Sequence, residues 1–226
     1  AASGQIVYAS SFAMFAAGRA FEQIRNSIAY PHLNVKVCAT HAGLTVGEDG
    51  ASHQCIEDLA IMRAIPGMKV FQPCDAAETK AIIKGIAEID GPCYVRLGRG
   101  GVEDVFDENY KFEMGKGVVL KKGSKVALIA TGMMVQEALK ASEELSKEGI
   151  EPTVVNIHTI KPIDEELIVE LAKSHDVLIT CEEHNVVGGL GSAVAEVAVK
   201  QAPVKMAMVG VQDTFGESGT PKALCE

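Results

Sequence analysis

Residues 40–54, T-H-A-G-L-T-V-G-E-D-G-A-S-H-Q, concentrate side chains that can exchange protons or bind hydroxyl groups. His41 and His53 bracket an acidic turn that contains Asp49 and is flanked by glycines. Imidazole and carboxylate groups are common general acids and bases, and glycine lets the backbone approach a ligand closely. The segment therefore predicts a ligand-binding or catalytic site, although a G-E-D-G tetrapeptide alone is also typical of a solvated turn.

Two predicted elements position these groups. His41 directly follows a predicted strand, Val35–Thr40, and ligands of open parallel sheets bind at the carboxyl ends of the strands. His53 is predicted to begin or cap the next helix, residues 54–64, with Ser52 as a competing cap. Because the amino end of a helix carries a partial positive charge, we expect His53 to be a neutral imidazole that can accept a proton.

Strand-like apolar runs alternate with segments of helical periodicity along the whole chain. The predicted strands are Val35–Thr40, 69–72, 92–97, 126–131, 152–157, 177–181 and Lys205–Val211, and the predicted helices are 12–29, 54–64, 76–88, 135–147, 164–173 and 192–200. This alternation is typical of α/β folds with parallel sheets. The Gly-rich and charged residues 97–123 read as a linker, so we predict two three-layer α/β domains, 1–110 and 111–226.

The composition excludes several classes of function. No apolar run approaches the roughly 18 residues of a membrane span, so we expect no membrane partner. The formal net charge is -9 with dispersed Lys and Arg, which argues against a nucleic-acid partner. Six cysteines without C-x-x-C spacing are expected to be reduced thiols in a cytoplasmic protein, and not a metal set.

Five sequence blocks carry a family resemblance. Residues 10–25, S-S-F-A-M-F-A-A-G-R-A-F-E-Q-I-R, residues 40–54, and residues 57–75, E-D-L-A-I-M-R-A-I-P-G-M-K-V-F-Q-P-C-D, resemble the pyrimidine-binding domain of transketolase. N-I-H-T-I-K-P-I-D at 156–164 and C-E-E-H-N-V-V-G-G-L-G at 181–191 resemble the transketolase C-terminal domain. The resemblance covers essentially the whole chain. It implies transfer of a two-carbon ketol unit between sugar phosphates with thiamine diphosphate, a reaction of the pentose phosphate pathway.

The resemblance also implies which residues hold the cofactor. Phe15 matches the aromatic residue that stacks on the pyrimidine ring, and Phe12 lies three residues earlier, on the same face of a predicted helix. His53 matches a residue beside the pyrimidine amino group and the reacting ketose, where it assists proton transfer. Gly18 departs from the family, which often has an aromatic or polar residue at that position.

The substrate contacts follow in the same way. Asp49 matches the residue that hydrogen-bonds the sugar hydroxyl next to the carbonyl, and His41 and Arg99 match the pair that holds the terminal phosphate. Arg99 is predicted to lie in the loop after a strand, whereas Arg96 points out of that strand at mid-length. An alternative is that both arginines pair with surface carboxylates.

Part of the family's active site is expected on another polypeptide or segment. The family binds the diphosphate through Mg2+ or Ca2+ at a G-D-G motif followed by Asn, and no Asn stands at that spacing after Gly50. The family's catalytic glutamate, with the helix and strand that open the first domain, would precede Ala1. We therefore expect a partner, the diphosphate-binding N-terminal half of a transketolase, and a homodimer of this chain.

Three alternatives remain on sequence grounds. Deoxyxylulose-phosphate synthase has a similar histidine and acidic-turn block, and the beta subunit of 2-oxoacid dehydrogenases has the same two domains. A non-catalytic subunit that uses the fold for partner binding is the third.

Two motifs of the second half are weaker candidates. Gly188 to Ser192 could form an anion-binding helix amino terminus. His184 beside Glu182 and Glu183 could suggest a metal pair, but a solvated loop is the preferred interpretation.

Overall fold

Strands and helices alternate along the chain in the computed structural model, which describes residues 1–225. The strands are β1 (Val7–Phe12), β2 (Val35–Thr40), β3 (Lys69–Phe71), β4 (Cys93–Arg96), β5 (Val118–Lys121), β6 (Lys125–Ala130), β7 (Thr153–Asn156), β8 (Thr159–Lys161), β9 (His175–Asn185) and β10 (Lys205–Val211). The α-helices are α1 (Phe21–Gln23), α2 (Asp58–Ala64), α3 (Ala76–Gly85), α4 (Met134–Lys147), α5 (Glu165–Ser174), α6 (Leu190–Gln201) and α7 (Pro221–Cys225). Short 3-10 helices cover Leu44–Asp49 and Ile86–Glu88.

The strands form two five-stranded sheets. The first has the order β1-β2-β4-β3-β8, and the second has the order β10-β9-β6-β7-β5. All neighbours within each sheet are parallel except β8 against β3 and β5 against β7. These mixed sheets with flanking helices confirm the predicted α/β class. Strand β8 belongs to the second half of the chain but completes the first sheet, which ties the two halves together.

The segment before β2 differs from its prediction. Residues 12–29 were expected to form one helix, but Val7–Phe12 pairs with Val35–Thr40 as strand β1. The helical part follows, with wide π-type turns at Met14–Arg19 and Ile24–Ala29 on either side of α1. The prediction of one helical face for Phe12 and Phe15 was therefore wrong. Backbone pairing with β2, which local periodicity does not report, decides where the helix begins.

The second difference concerns the helix predicted at residues 54–64, which begins at Asp58 as α2. The backbone N–H of Gly43 donates to the carbonyl of Cys55 at 2.8 Å, and the two residues form an isolated antiparallel bridge. Residues 54 and 55 are thereby held outside the helix.

One apolar cluster extends through both halves of the molecule. Leu59 and Val70 come from the first half and Ile129, Ile157 and Leu190 from the second, and all five are buried. Burial of one such side chain contributes about 1.5–3 kcal/mol relative to its exposure. The shared cluster packs the two halves against each other.

Between residues 1 and 225 there is no helix of the length and apolarity that a membrane crossing requires.

Candidate functional site

Four rings converge where strands β1 and β2 end. The ring of Phe12 stacks on that of His41, with centroids 3.8 Å apart and planes 9° apart. The Phe15 ring lies 6.1 Å from the Phe12 ring at an interplanar angle of 11°. His53 presents an edge-on contact to both phenylalanines, at 5.4 Å from Phe15 and 6.3 Å from Phe12. Residues that are 41 positions apart in the sequence thus form one half-buried aromatic wall.

Strand pairing explains this wall. Phe12 is opposite Thr40 in the parallel pair of β1 and β2, so His41 emerges directly beside it. The backbone of His41 has φ 58°, a left-handed conformation that few non-glycine residues adopt. Its Nδ1 lies 3.0 Å from the hydroxyl of Thr40. Phe15 comes from the helical turn after β1, which aims its ring at the same place.

His53 lies in a turn and not at a helix end. Its backbone N–H donates to the carbonyl of Gly50 at 3.0 Å, and its Nδ1 lies 2.9 Å from the hydroxyl of Ser52. Helix α2 starts five residues later and has Glu57 as its N-cap. The prediction that His53 or Ser52 caps the helix was therefore wrong, and this imidazole does not lie at the amino end of a helix.

The acidic segment, Leu44–Asp49, forms two short 3-10 turns on either side of a kink at Gly47, whose φ of 84° is not helical. It lies between two further glycines of positive φ, Gly43 and Gly50. Asp49 is at its carboxyl end with 46% of its side chain exposed. Arg99 follows β4 in a loop, as predicted, and its Nη1 lies 3.7 Å from Asp49 Oδ2 and 3.8 Å from Glu48 Oε2. Arg99 also donates to the carbonyl of Val46.

The alternative of surface carboxylates is what this structure shows for Arg99. Exposed ion pairs contribute only about 0–1 kcal/mol, so a phosphate dianion can compete for the same guanidinium. The structure thus places Asp49 beside Arg99, and it places His41 and His53 against the same ring, that of Phe12. Their assigned roles stay predictions.

Arg96 has a different environment from the predicted one. Its Nε lies 2.9 Å from Asp58 Oδ2 and 3.0 Å from Oδ1, and both side chains are at most 1% exposed. The hydroxyl of Tyr94 donates to Asp58 at 2.7 Å, and Arg96 Nη2 donates to the carbonyls of Cys55 and Glu183 at 3.0 Å. Burial lowers the pKa of Arg96, but Asp58, Glu183 and Tyr94 together outweigh that effect and the pKa is raised. Arg96 is therefore a buried, charged structural centre.

The C-E-E-H motif is also buried, so the prediction of a solvated loop was wrong. Glu182, Glu183 and His184 lie in the long strand β9 and are at most 7% exposed. Hydrophobic residues upstream indicate a short strand at 177–181, but pairing with β6 and β10 extends the strand from His175 to Asn185. Apolar periodicity does not mark these charges as buried, because Glu183 bonds Thr45 and Arg96 of the first half and Glu182 bonds the start of the following helix.

Glu182 occupies the helix amino terminus that the glycine-rich motif predicted as an anion site. Its carboxylate accepts hydrogen bonds from the backbone N–H groups of Leu190 at 2.6 Å and Gly191 at 2.8 Å. A Cβ on Gly189 would lie 1.9 Å from Glu182 Oε2, so glycine is required there. The protein's own carboxylate thus fills the site, which leaves no place for an external anion.

The aromatic wall fits a flat heteroaromatic ligand. Stacking needs an accessible ring face, and Phe12, Phe15 and His53 are all partly exposed. The guanidinium of the exposed Arg19 lies 4.9 Å from the Phe15 centroid and can be displaced by such a ligand. Gly18 leaves room for Met14, whose Cε would lie 2.5 Å from a Cβ at Gly18.

A cavity of about 390 Å3 lies between the two halves and is lined in part by the Leu44–Asp49 segment. Both halves line it, with Thr45, Gln72 and Arg96 from the first and Gly132 and Glu183 from the second. Among residues 1–225 no three His, Cys, Asp or Glu side chains are grouped so that they could hold a metal ion.

Comparison with known proteins gives a consistent result. The family described as "Transketolase, pyrimidine binding domain" matches residues 1–103, and "Transketolase, C-terminal domain" matches residues 115–226. A transketolase C-terminal section of Methanocaldococcus jannaschii is 54% identical over 222 residues, which are 97% of this chain and 69% of that protein. The 6-deoxy-6-sulfo-D-fructose transketolase subunit SqwH of Clostridium sp. (strain MSTE9) is 43% identical over 100% of this chain and 70% of its own length. A solved structure described as a split-gene transketolase, an inactive β4 tetramer, has a TM-score of 0.93 and 56% identity, and covers 99% of this chain and 71% of its own.

The buried pair Glu182 and His184 predicts a pH signature in stability. Burial raises the pKa of Glu182 to about 7 and lowers that of His184 to about 4. A carboxyl whose pKa is raised by folding binds more protons when folded, so its contribution to stability falls as the pH rises from about 4.5 to about 7. The lowered pKa of His184 has the opposite effect below about 6.5.

Glu182→Gln removes the Glu182 contribution to stability, which falls as the pH rises, and leaves the His184 contribution in place. The Tm of the variant minus the Tm of the wild type should therefore increase between pH 5 and pH 7, as measured by thermal unfolding in one buffer series. A pH-independent difference would contradict the burial of an ionisable Glu182.

Proposed function

Because the chain belongs to the transketolase family, we propose that it is the substrate-facing subunit of a two-part transketolase. In this proposal it transfers a two-carbon ketol unit from a ketose phosphate to an aldose phosphate once it is assembled with a diphosphate-binding N-terminal half. The observation that carries the proposal is the placement of the Phe12, Phe15, His41 and His53 rings together at the strand ends of the first sheet.

Phe15, Phe12 and His53 would hold the pyrimidine ring of thiamine diphosphate. When bound, the thiazolium of this cofactor supplies the carbon that attacks the ketose and carries the two-carbon unit. The two phenylalanine rings orient the pyrimidine by face contact. His53 places an imidazole at the edge of that wall, where it can donate or accept a proton at the cofactor or at the sugar.

Asp49, Arg99 and His41 would bind the sugar phosphate. Asp49 accepts a hydrogen bond from the hydroxyl next to the carbonyl, and Arg99 offers a planar fork to the terminal phosphate. Both side chains are close to half exposed, which suits groups that exchange water for substrate.

The partner half would supply the ligands of Mg2+ or Ca2+ and the diphosphate site. The split-gene neighbour, an inactive β4 tetramer, supports a chain of this type that assembles with copies of itself but needs another subunit for activity. In the proposed assembly the N-terminal half adjoins the ring wall, and a second copy of this chain completes a cytoplasmic enzyme.

The proposal is tested by reconstitution. This chain alone, and this chain co-expressed with the N-terminal transketolase half of the same organism, are assayed with xylulose 5-phosphate, ribose 5-phosphate, thiamine diphosphate and Mg2+. Ketol transfer only in the co-expressed sample supports the proposal. Condensation of pyruvate with glyceraldehyde 3-phosphate would point to a deoxyxylulose-phosphate synthase, and a stable complex without bound cofactor would point to a non-catalytic subunit.

Removal of Arg99 should weaken phosphate recognition selectively. Charged hydrogen bonds are worth about 1.5–3 kcal/mol, so in the reconstituted enzyme Arg99→Ala should raise KM for phosphorylated sugars by roughly tenfold to hundredfold with little change in kcat. Arg99→Lys keeps the charge but not the planar fork, so its KM for phosphorylated sugars should lie between those of the wild type and Arg99→Ala. Equal losses with an unphosphorylated donor such as hydroxypyruvate would remove Arg99 from the phosphate role.

Removal of Asp49 should affect turnover and stereochemical preference. Asp49→Ala should lower kcat/KM for xylulose 5-phosphate and narrow its ratio to that for ribulose 5-phosphate, which differs in the hydroxyl next to the carbonyl. Glu48→Ala is the matched control, since Glu48 is the neighbouring carboxylate and lies at a similar distance from Arg99. If both variants narrow the ratio alike, general charge near Arg99 is responsible and Asp49 has no specific role.

A further inference from the structure

The 3-10 helix that carries Asp49 lacks a cap of its own. Its N-cap residue is Gly43, which has no side chain to accept hydrogen bonds from the first turn. Instead, Glu183 Oε1 accepts a hydrogen bond from the backbone N–H of Thr45 at 2.6 Å. A backbone hydrogen bond from Leu44 also acts on this carboxylate and lowers its pKa. Glu183 is 138 residues away in the sequence and belongs to β9 of the second sheet.

The carboxylate of Glu183 packs tightly against Gly43 and is shielded from solvent. A Cβ at Gly43 would lie 2.2 Å from Glu183 Cδ and from its Oε1, so only glycine lets the carboxylate reach the helix start. Glu183 is 7% exposed, which prevents water from replacing it easily. An acceptor oxygen at the amino end of a helix satisfies donors that would otherwise be unpaired.

The backbone of Glu183 is itself held by the buried ion pair. Its carbonyl accepts a hydrogen bond from Arg96 Nη2 at 3.0 Å, and Arg96 is locked by Asp58. Burial raises the pKa of Glu183, and the positive charge of Arg96 opposes that rise. The carboxylate therefore has a fixed position and a nearby counter-charge.

The far end of the same helix holds the proposed substrate contacts. Asp49 is its last residue, and the carbonyl of Val46 within it accepts a hydrogen bond from Arg99. Val46 belongs to the first turn, which Glu183 caps, so a shift of that turn would move the acceptor of Arg99 directly. Asp49 lies beyond the kink at Gly47 and would be displaced only through it.

We propose that Glu183 is a positioning residue for sugar-phosphate recognition, which acts from the second domain by capping the first turn of the Leu44–Asp49 segment, the turn whose Val46 carbonyl accepts from Arg99. This inference rests on the proposed function of Asp49 and Arg99. It gives the second domain a specific part in substrate binding, although none of its residues is assigned to contact the sugar.

Glu182 provides a matched control. It is the adjacent buried carboxylate of β9, and it also caps a helix amino terminus, but the helix is α6 in its own half. Loss of either charge removes one buried cap. Only loss of Glu183 disturbs the helix that carries Asp49.

The first experiment compares Glu183→Gln with Glu182→Gln in the reconstituted enzyme. Because an amide presents N–H groups where the helix also has donors, Glu183→Gln should raise KM for xylulose 5-phosphate by about tenfold, the effect of roughly 1.4 kcal/mol. It should also narrow the xylulose to ribulose 5-phosphate ratio, as Asp49→Ala does. The affinity for thiamine diphosphate should stay unchanged. Glu182→Gln should change neither the KM, nor the xylulose to ribulose 5-phosphate ratio, nor the cofactor affinity. Equal kinetic effects of the two variants, or none in Glu183→Gln, would overturn the proposal.

A second pair of variants approaches the contact from the other side and keeps Glu183. Gly43→Ala places a methyl group against the carboxylate and should reproduce the kinetic changes. Gly149→Ala is the control, because its φ of 80° is similar to the 87° of Gly43 but nothing lies within 4 Å of the added Cβ. This pair decides the question if Glu183→Gln does not fold.

Hydrogen exchange on the isolated chain separates this inference from the proposed function. The amides of residues 44 and 45 should exchange faster in Glu183→Gln than in the wild type, and at the wild-type rate in Glu182→Gln. Unchanged exchange would overturn the capping role whatever the activity. An inactive wild-type complex would overturn the proposed function, and with it the substrate role, even if the exchange result held.

Discussion

The buried ion pair between Arg96 and Asp58 is the constraint on which the arrangement of the site depends. Two charges without water must have all their hydrogen-bonding groups satisfied, because the desolvation penalty is several kcal/mol for each ion. Tyr94 donates to Asp58, and the carbonyls of Cys55 and Glu183 accept from Arg96. These partners come from β4, the turn before α2 and strand β9, so the pair requires that the two halves meet in one geometry. Such a pair does not by itself make a protein more stable, but removal of one partner is strongly destabilising.

The exposure of the polar side chains increases from the buried Arg96–Asp58 pair to the proposed substrate contacts. Glu183 is buried and caps the Leu44–Asp49 helix, whereas Asp49 and Arg99 at the other end are close to half exposed and pair only loosely. The buried Glu183 can hold the backbone of the segment in position without contact with a ligand. Asp49 and Arg99 at the exposed end can exchange their present partners for a ligand. A site built in this way combines an ordered backbone with side chains that remain available, which agrees with the proposed recognition of a sugar phosphate.

The aromatic wall depends on the first sheet alone. The pairing of β1 with β2 places Phe12 against His41, and the following turn adds Phe15, while His53 reaches the wall from the far end of the acidic segment. Within residues 1–225 the wall lies beside the edge strand β1. In the proposed enzyme the cofactor binds against this wall together with the diphosphate-binding half.

The sequence by itself determined the order of most elements and named the candidate site residues. Strands Val35–Thr40 and Lys205–Val211 have their predicted bounds, because runs of buried apolar residues report strands locally. The family motifs placed Phe15, His41, Asp49, His53 and Arg99 among the candidates. Only the tertiary structure decided that Phe12 ends a strand, that His53 lies outside the helix, and that Arg96 and the C-E-E-H motif are buried. Hydrophobic periodicity reports neighbours a few residues apart, whereas the burial of a charge depends on partners that are tens to more than a hundred residues away.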